Sequence, residues 1–107
     1  MTIAVAMKTS ERITQAADRI EAVLDAHRRA EPAPDAMAAL RAAVAGLGAH
    51  DPFSSGKLVA LMERAQVFYG RQSMFRLPGS SQRLWQQMRD ELDLLRMRAR
   101  VLAGQGD

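Results

Sequence analysis

Trp85, Met88, Leu92, Leu95, Ala99 and Leu102 follow one another at intervals of three, four, three, four and three residues. That rhythm puts all six on one face of an α-helix and does not fit the two-residue alternation of a strand. It predicts a helix over 81–103. A helix with one long apolar face must bury that face, so the rest of the chain has to supply other helices to pack on it. A second row, Leu94, Met97 and Val101, stands beside the seam, which leaves the later half apolar on more than one side.

Three further helices are legible upstream. Ile13, Ala16, Ala17, Ile20, Val23 and Leu24 recur at helical spacing and predict a helix over 10–29, capped by Thr9 or Ser10. Its acidic residues Asp18, Glu21 and Asp25 are spaced to pair with Arg12, Arg28 and Arg29 of the same helix. "AEPAPD" then interrupts, since two prolines in three residues cannot continue a helix. Asp35 reads as the cap of a second helix over 36–47, with Met37, Leu40, Val44 and Leu47 as its stripe. "GLGAHDP" ends it. A third helix begins between Asp51 and Ser55 and is expected over 54–75, with Leu58, Leu61, Met62, Ala65, Phe68, Tyr69 and Phe75 on one side. Pro78-Gly79 reads as a type II turn, with Ser80 or Ser81 capping the last helix. The third and fourth helices, each about 30 Å long, then form an antiparallel hairpin. The expected fold is all-α: a single four-helix bundle-like domain built on that C-terminal hairpin, with 1–9 and 104–107 frayed.

Composition agrees. Ala, Leu, Met, Gln, Glu and Arg are strong helix formers, and aromatic residues are only 5 % of the chain. No cysteine is present, which excludes a disulfide framework and a thiolate metal site. No apolar run approaches the ~18 residues of a membrane span, and "MTIAVAMKTS" lacks the basic region of a secretory signal. The cytoplasm is the expected compartment. Net charge is +3, unevenly spread: residues 1–53 carry six basic and seven acidic side chains, residues 54–107 nine and five. Thirteen of the fifteen basic residues are arginine. Such a bias either attracts an acidic partner or reflects GC-rich codons.

"YGRQSMFRLPGSSQRLW", Tyr69 to Trp85, gathers three of the five aromatic residues with three arginines at the tip of the hairpin. The partner-binding candidates are Tyr69, Arg71, Phe75, Arg76, Arg83 and Trp85, residue types enriched at binding hot spots. The competing reading is that the aromatics plug the end of the bundle. Leu94, Met97 and Val101 are the candidate oligomer interface, with Arg96 and Arg100 facing Asp90 or Asp93 of an antiparallel second copy.

Catalytic and metal chemistry finds little purchase. His27 and His50 are far apart and neither belongs to a metal-ligand pair; His27 suits a helix C-terminus. "SSGK", Ser54 to Lys57, lacks the first glycine of a phosphate loop and any strand before it. Asp90, Glu91 and Asp93 read as a solvated face. No catalytic residue, cofactor or metal is expected. Seven arginines of the C-terminal half, Arg64, Arg71, Arg83, Arg89, Arg96, Arg98 and Arg100, keep nucleic acid as an alternative partner, although acidic residues interrupt them.

"DPFSSGKLVALMERAQ", Asp51 to Gln66, resembles the Asp-Pro-led helix of type III secretion inner-rod proteins over sixteen of the 107 residues. The Pro-Gly break that follows departs from that pattern. The resemblance implies a component or chaperone of a bacterial secretion apparatus as one alternative. The main expectation is a small non-enzymatic adaptor, chaperone or regulatory subunit, a homodimer that binds a protein partner through its Arg- and aromatic-bearing hairpin.

Overall fold

The computed structural model describes residues 7–45, 47, 51–75 and 77–107. Among them the chain forms four α-helices and one short 3-10 helix, with no strand. The helices are α1 (Thr9–Ala26), α2 (Pro34–Ala45), α3 (Pro52–Phe68) and α4 (Pro78–Gly104), with the 3-10 helix at Ser73–Phe75. The fold is the expected all-α bundle.

α4 is the spine. Its 27 residues span about 40 Å, and both α1 and α3 pack along it, antiparallel to it. α2, only 12 residues long, bridges α1 and α3 on the side away from α4. The core is the set of faces these helices turn to one another. Ile13, Ala17, Ile20 and Leu24 of α1 meet Leu40 of α2, Leu58, Leu61 and Ala65 of α3, and Met88, Leu92 and Leu95 of α4. The seam that implied α4 is thus buried along most of its length. Met62 departs from expectation: it is half-buried on the rim of a cleft between α2 and α3 with Val44, because α2 is too short to cover it.

Helix ends differ from expectation in instructive ways. α1 stops at Ala26 rather than Arg29. The His27 carbonyl accepts a 2.5 Å hydrogen bond from the Tyr69 hydroxyl, and the prolines that follow disfavour helical backbone before them. Neither Thr9 nor Ser10 caps α1; both lie inside it, where the Thr9 amide donates to the Asp107 carboxylate at 2.8 Å and the Ser10 hydroxyl donates to the Asp107 carbonyl. Asp107, in a stretch expected to fray, is thus tied to the start of α1. Asp35 sits in the first turn of α2, which opens at Pro34, a residue whose missing N–H costs nothing there.

α3 ends at Phe68, seven residues before the expected Phe75. Gly70 is the cause. A Cβ there would stand 2.3 Å from the Gln66 carbonyl oxygen, so the chain leaves the helix by a path open only to glycine. Pro78-Gly79 is not a turn but the first residues of α4, and neither Ser80 nor Ser81 is its cap: Leu77 holds that position without a side-chain bond. "SSGK" lies in the first turn and a half of α3, a helix rather than a phosphate loop.

Charges at the helix seams fix the register. Arg96 reaches Asp18 at 2.8 Å and Glu21 at 2.9 Å, and Arg89 reaches Glu21 at 3.4 Å and Asp25 at 3.5 Å. The acids of α1 thus turn mainly to α4; only Asp25–Arg28 is a pair of the local kind expected. On the other flank, Glu91 lies between Lys57 at 3.9 Å and Arg64 at 3.8 Å, largely buried rather than solvated. Arg64 also donates to Gln87 at 3.2 Å. The pairs are partly exposed, so they favour this alignment more than they add stability.

Candidate functional site

The connection between α3 and α4 is built from a glycine exit, a single 3-10 turn and a proline-led helix start. A linker so short, held at both ends, has no room to fold its own apolar side chains inward. Met74 is 71 % exposed, Phe75 84 % and Leu77 78 %. These are the three most exposed large apolar residues of the described chain, and they fall within four positions of one another.

The residues selected from sequence part company here. Tyr69 is buried, its ring edge-on to Phe68 at 4.9 Å and its hydroxyl held by the His27 carbonyl. Burial raises the pKa of that hydroxyl. Tyr69 therefore plugs the bundle and does not present itself to a partner. Phe75, expected to line the core side of α3, instead points to solvent. Trp85 takes an intermediate place: it packs on the core with its ring tilted 5.6 Å from that of Phe68, yet it lines an open cavity of about 280 Å³ with Arg28, Ala30, Ser81 and Gln82. Arg71 and Arg83 are exposed and reach no carboxylate among the described residues. Arg76 lies outside the described residues, as does His50.

The resulting surface is the end of the bundle where α1 and α3 finish and α4 begins. An apolar tip projects from it, a Trp-lined hollow opens beside the start of α4, and Arg71 and Arg83 reach no carboxylate among the described residues. No aspartate or glutamate occurs between Arg64 and Arg89, so this end carries no charge on its own α3–α4 segment that would quench them. Sequence reasoning missed Met74 and Leu77. The signal for Met74 was the position of Gly70, which places it beyond the end of α3; Leu77 already lay in the break before Pro78.

The arginine excess of the C-terminal half has a largely internal use. Of the seven arginines that suggested nucleic acid, Arg64, Arg89, Arg96 and Arg98 are ion-paired within the chain. The acidic surplus of the first half and the basic surplus of the second half meet across α1–α4 and across Asp51–Arg98. Arg96, expected to face a second copy, is held within the chain by Asp18 and Glu21, which raise its pKa. Arg100 remains without a carboxylate partner among the described residues.

The proposed oligomer stripe is only partly covered. Leu94 is half-buried, while Met97 and Val101 are each 45 % exposed. α1 lies against the Arg89–Arg96 flank of α4 and α3 against the Glu91–Arg98 flank, so neither helix lies over the stripe. Among the described residues no cluster of three His, Asp or Glu side chains has metal-binding geometry, and no helix is long and apolar enough to cross a membrane.

Comparison with protein-family models, with curated proteins and with solved structures finds no match.

Proposed function

We propose that this chain is a small non-enzymatic protein-interaction module, an adaptor, chaperone or regulatory subunit, that engages a protein partner with the tip of its α3–α4 hairpin. The observation that carries the reading is the exposure of Met74, Phe75 and Leu77 on one short connection. Each such side chain gains about 1.5–3 kcal/mol when removed from water. Clustered apolar surface of this kind is a usual mark of a binding site. Arg71 and Arg83 supply polar contacts around the tip, and the hollow beside Trp85 offers a socket for a partner side chain. We further propose the cytoplasm as its compartment, with which a cysteine-free chain is compatible. The stripe Leu94, Met97 and Val101 is the proposed face for self-association.

The test compares wild-type protein with Phe75→Asp and Leu77→Ser variants as bait, using purified protein and lysate with and without nuclease. A saturable partner captured by the wild type, indifferent to nuclease and lost with either variant, is the expected result. Capture that vanishes with nuclease, or binding that falls by about one log unit of affinity per log unit of salt for each phosphate contact, would instead assign the protein to nucleic acid.

A further inference from the structure

We propose that the outer face of α4 is covered by the same face of a second copy, antiparallel, with the two-fold axis beside Met97 and with Asp93 of each copy paired to Arg100 of the other. This inference does not rest on the tip being a binding surface.

The face is self-complementary in one orientation only. Along its centre run Asp90, Met97 and Val101; on one flank stand Asp93 and Arg100, seven residues apart and so nearly in line along the helix. Leu94 stands on the other flank, next to Val101. The acids precede Met97 and the arginine follows it. A parallel neighbour sets carboxylate against carboxylate, whereas an antiparallel one sets carboxylate against guanidinium. The rise along a helix makes the fit close. Asp93 lies about 6 Å before Met97 and Arg100 about 4.5 Å after it, so a two-fold at Met97 brings the unlike charges level on the same flank, twice.

Neither charge has another use in the described chain. Asp93 and Arg100 are both exposed and neither enters an ion pair, whereas Arg89, Arg96 and Arg98 on the same helix all do. At the centre, Met97 meets its own symmetry mate, and the half-exposed Val101 and half-buried Leu94 complete an apolar strip. A strip of this size with two ion pairs is a modest interface, so the expected Kd is on the order of micromolar. The geometry has a functional corollary, which does rest on the tip reading. Pro78 is nineteen residues from Met97, so the two tips would lie about 57 Å apart and face opposite ways, making the dimer a bivalent binder.

Sedimentation equilibrium across the micromolar range tests it. The wild type should move from 11.8 kDa toward twice that mass as concentration rises. Asp93→Arg or Arg100→Asp alone should raise the Kd at least tenfold, and the two together should restore it. Circular dichroism checks that each variant keeps its helices, as substitutions at exposed sites should. Met97→Cys, in a chain without other cysteines, should cross-link to itself under mild oxidation. An 11.8 kDa species at every concentration overturns the dimer. A dimer indifferent to the single reversals, or not restored by the double one, overturns the face and register. Phe75→Asp should leave the mass unchanged, which separates failure here from failure at the tip.

Discussion

Arg98 closes on Asp51 with two parallel bonds: its Nε–H donates to Oδ2 at 3.1 Å and its Nη2–H donates to Oδ1 at 3.0 Å. The same carboxylate caps α3, accepting the Ser54 amide at 3.2 Å and the Ser54 hydroxyl at 2.7 Å. Beside them, Phe53 lies under Lys57 and Arg98, with 5.4 Å and 5.8 Å to its ring centre. One buried acid therefore starts one helix and fastens it to another. Asp51→Ala removes both roles and should cost about 2–3 kcal/mol, read as a lower midpoint in urea. A change under 0.5 kcal/mol would show that water replaces the bonds at no loss.

The pair also predicts a pH dependence. The Arg98 guanidinium, followed by the bonds from Ser54, lowers the Asp51 pKa to about 2 against a partial opposing effect of burial. A depressed carboxylate stabilises the fold above its unfolded pKa and loses that contribution as pH falls toward its folded value. Between about pH 5 and pH 2 the wild type should lose about 2 kcal/mol more than Asp51→Asn. Parallel curves for the two proteins would remove Asp51 from the account.

Gly70→Ala should destabilise by about 1–3 kcal/mol, because the new methyl meets the Gln66 carbonyl and the backbone must shift. Gly79→Ala is the control. Nothing lies within 4 Å of a Cβ there, and alanine in a helix is favoured over glycine. Thermal melts should place the two variants on opposite sides of the wild type or leave the second unchanged.

Leu92 is fully buried and Phe75 is 84 % exposed. Leu92→Ala should cost about 2–5 kcal/mol, while Phe75→Ala stays within about 0.5 kcal/mol of wild type. An equal loss for both would mean that Phe75 packs on the bundle in solution, which would remove the basis for the tip as a binding surface.

Ser73 is buried with no hydrogen-bond partner for its hydroxyl. Such a group costs free energy that alanine avoids. Ser73→Ala should therefore be neutral or stabilise by about 1 kcal/mol, measured by the same melts.

The helices were legible because each carries its own periodic stripe, and a stripe needs no knowledge of its partner. The seam from Trp85 to Leu102 and the row from Ile13 to Leu24 predict both helix and buried face. What the stripe does not encode is where a helix stops. Gly70 ends α3 by a backbone contact four residues back, and the Tyr69 hydroxyl takes the His27 carbonyl from 42 positions away. Pro-Gly supports a turn and a helix start equally well by composition, and only the path of the chain decides between them. The candidate site inherits these errors, since seven residues wrongly given to α3 put Phe75 inside and hid Met74. Ion pairs were misassigned for a related reason. Spacing within one helix is visible in sequence, whereas the choice of Arg96 over Arg12 as a partner for Asp18 depends on how helices pack.

α4 holds α3 and α1 on opposite flanks, but the chain separating the members of each pair differs greatly. Arg64 and Gln87 are 23 residues apart, while Asp18 and Arg96 are 78 apart. Closing the longer loop costs more conformational entropy and takes longer. The α3–α4 hairpin should thus assemble first, and α1 should dock onto a surface already made. Read in reverse, α1 is the helix whose departure sacrifices the fewest early contacts. Its amides should exchange with solvent deuterium through a partial opening that leaves the amides at the middle of α4 protected.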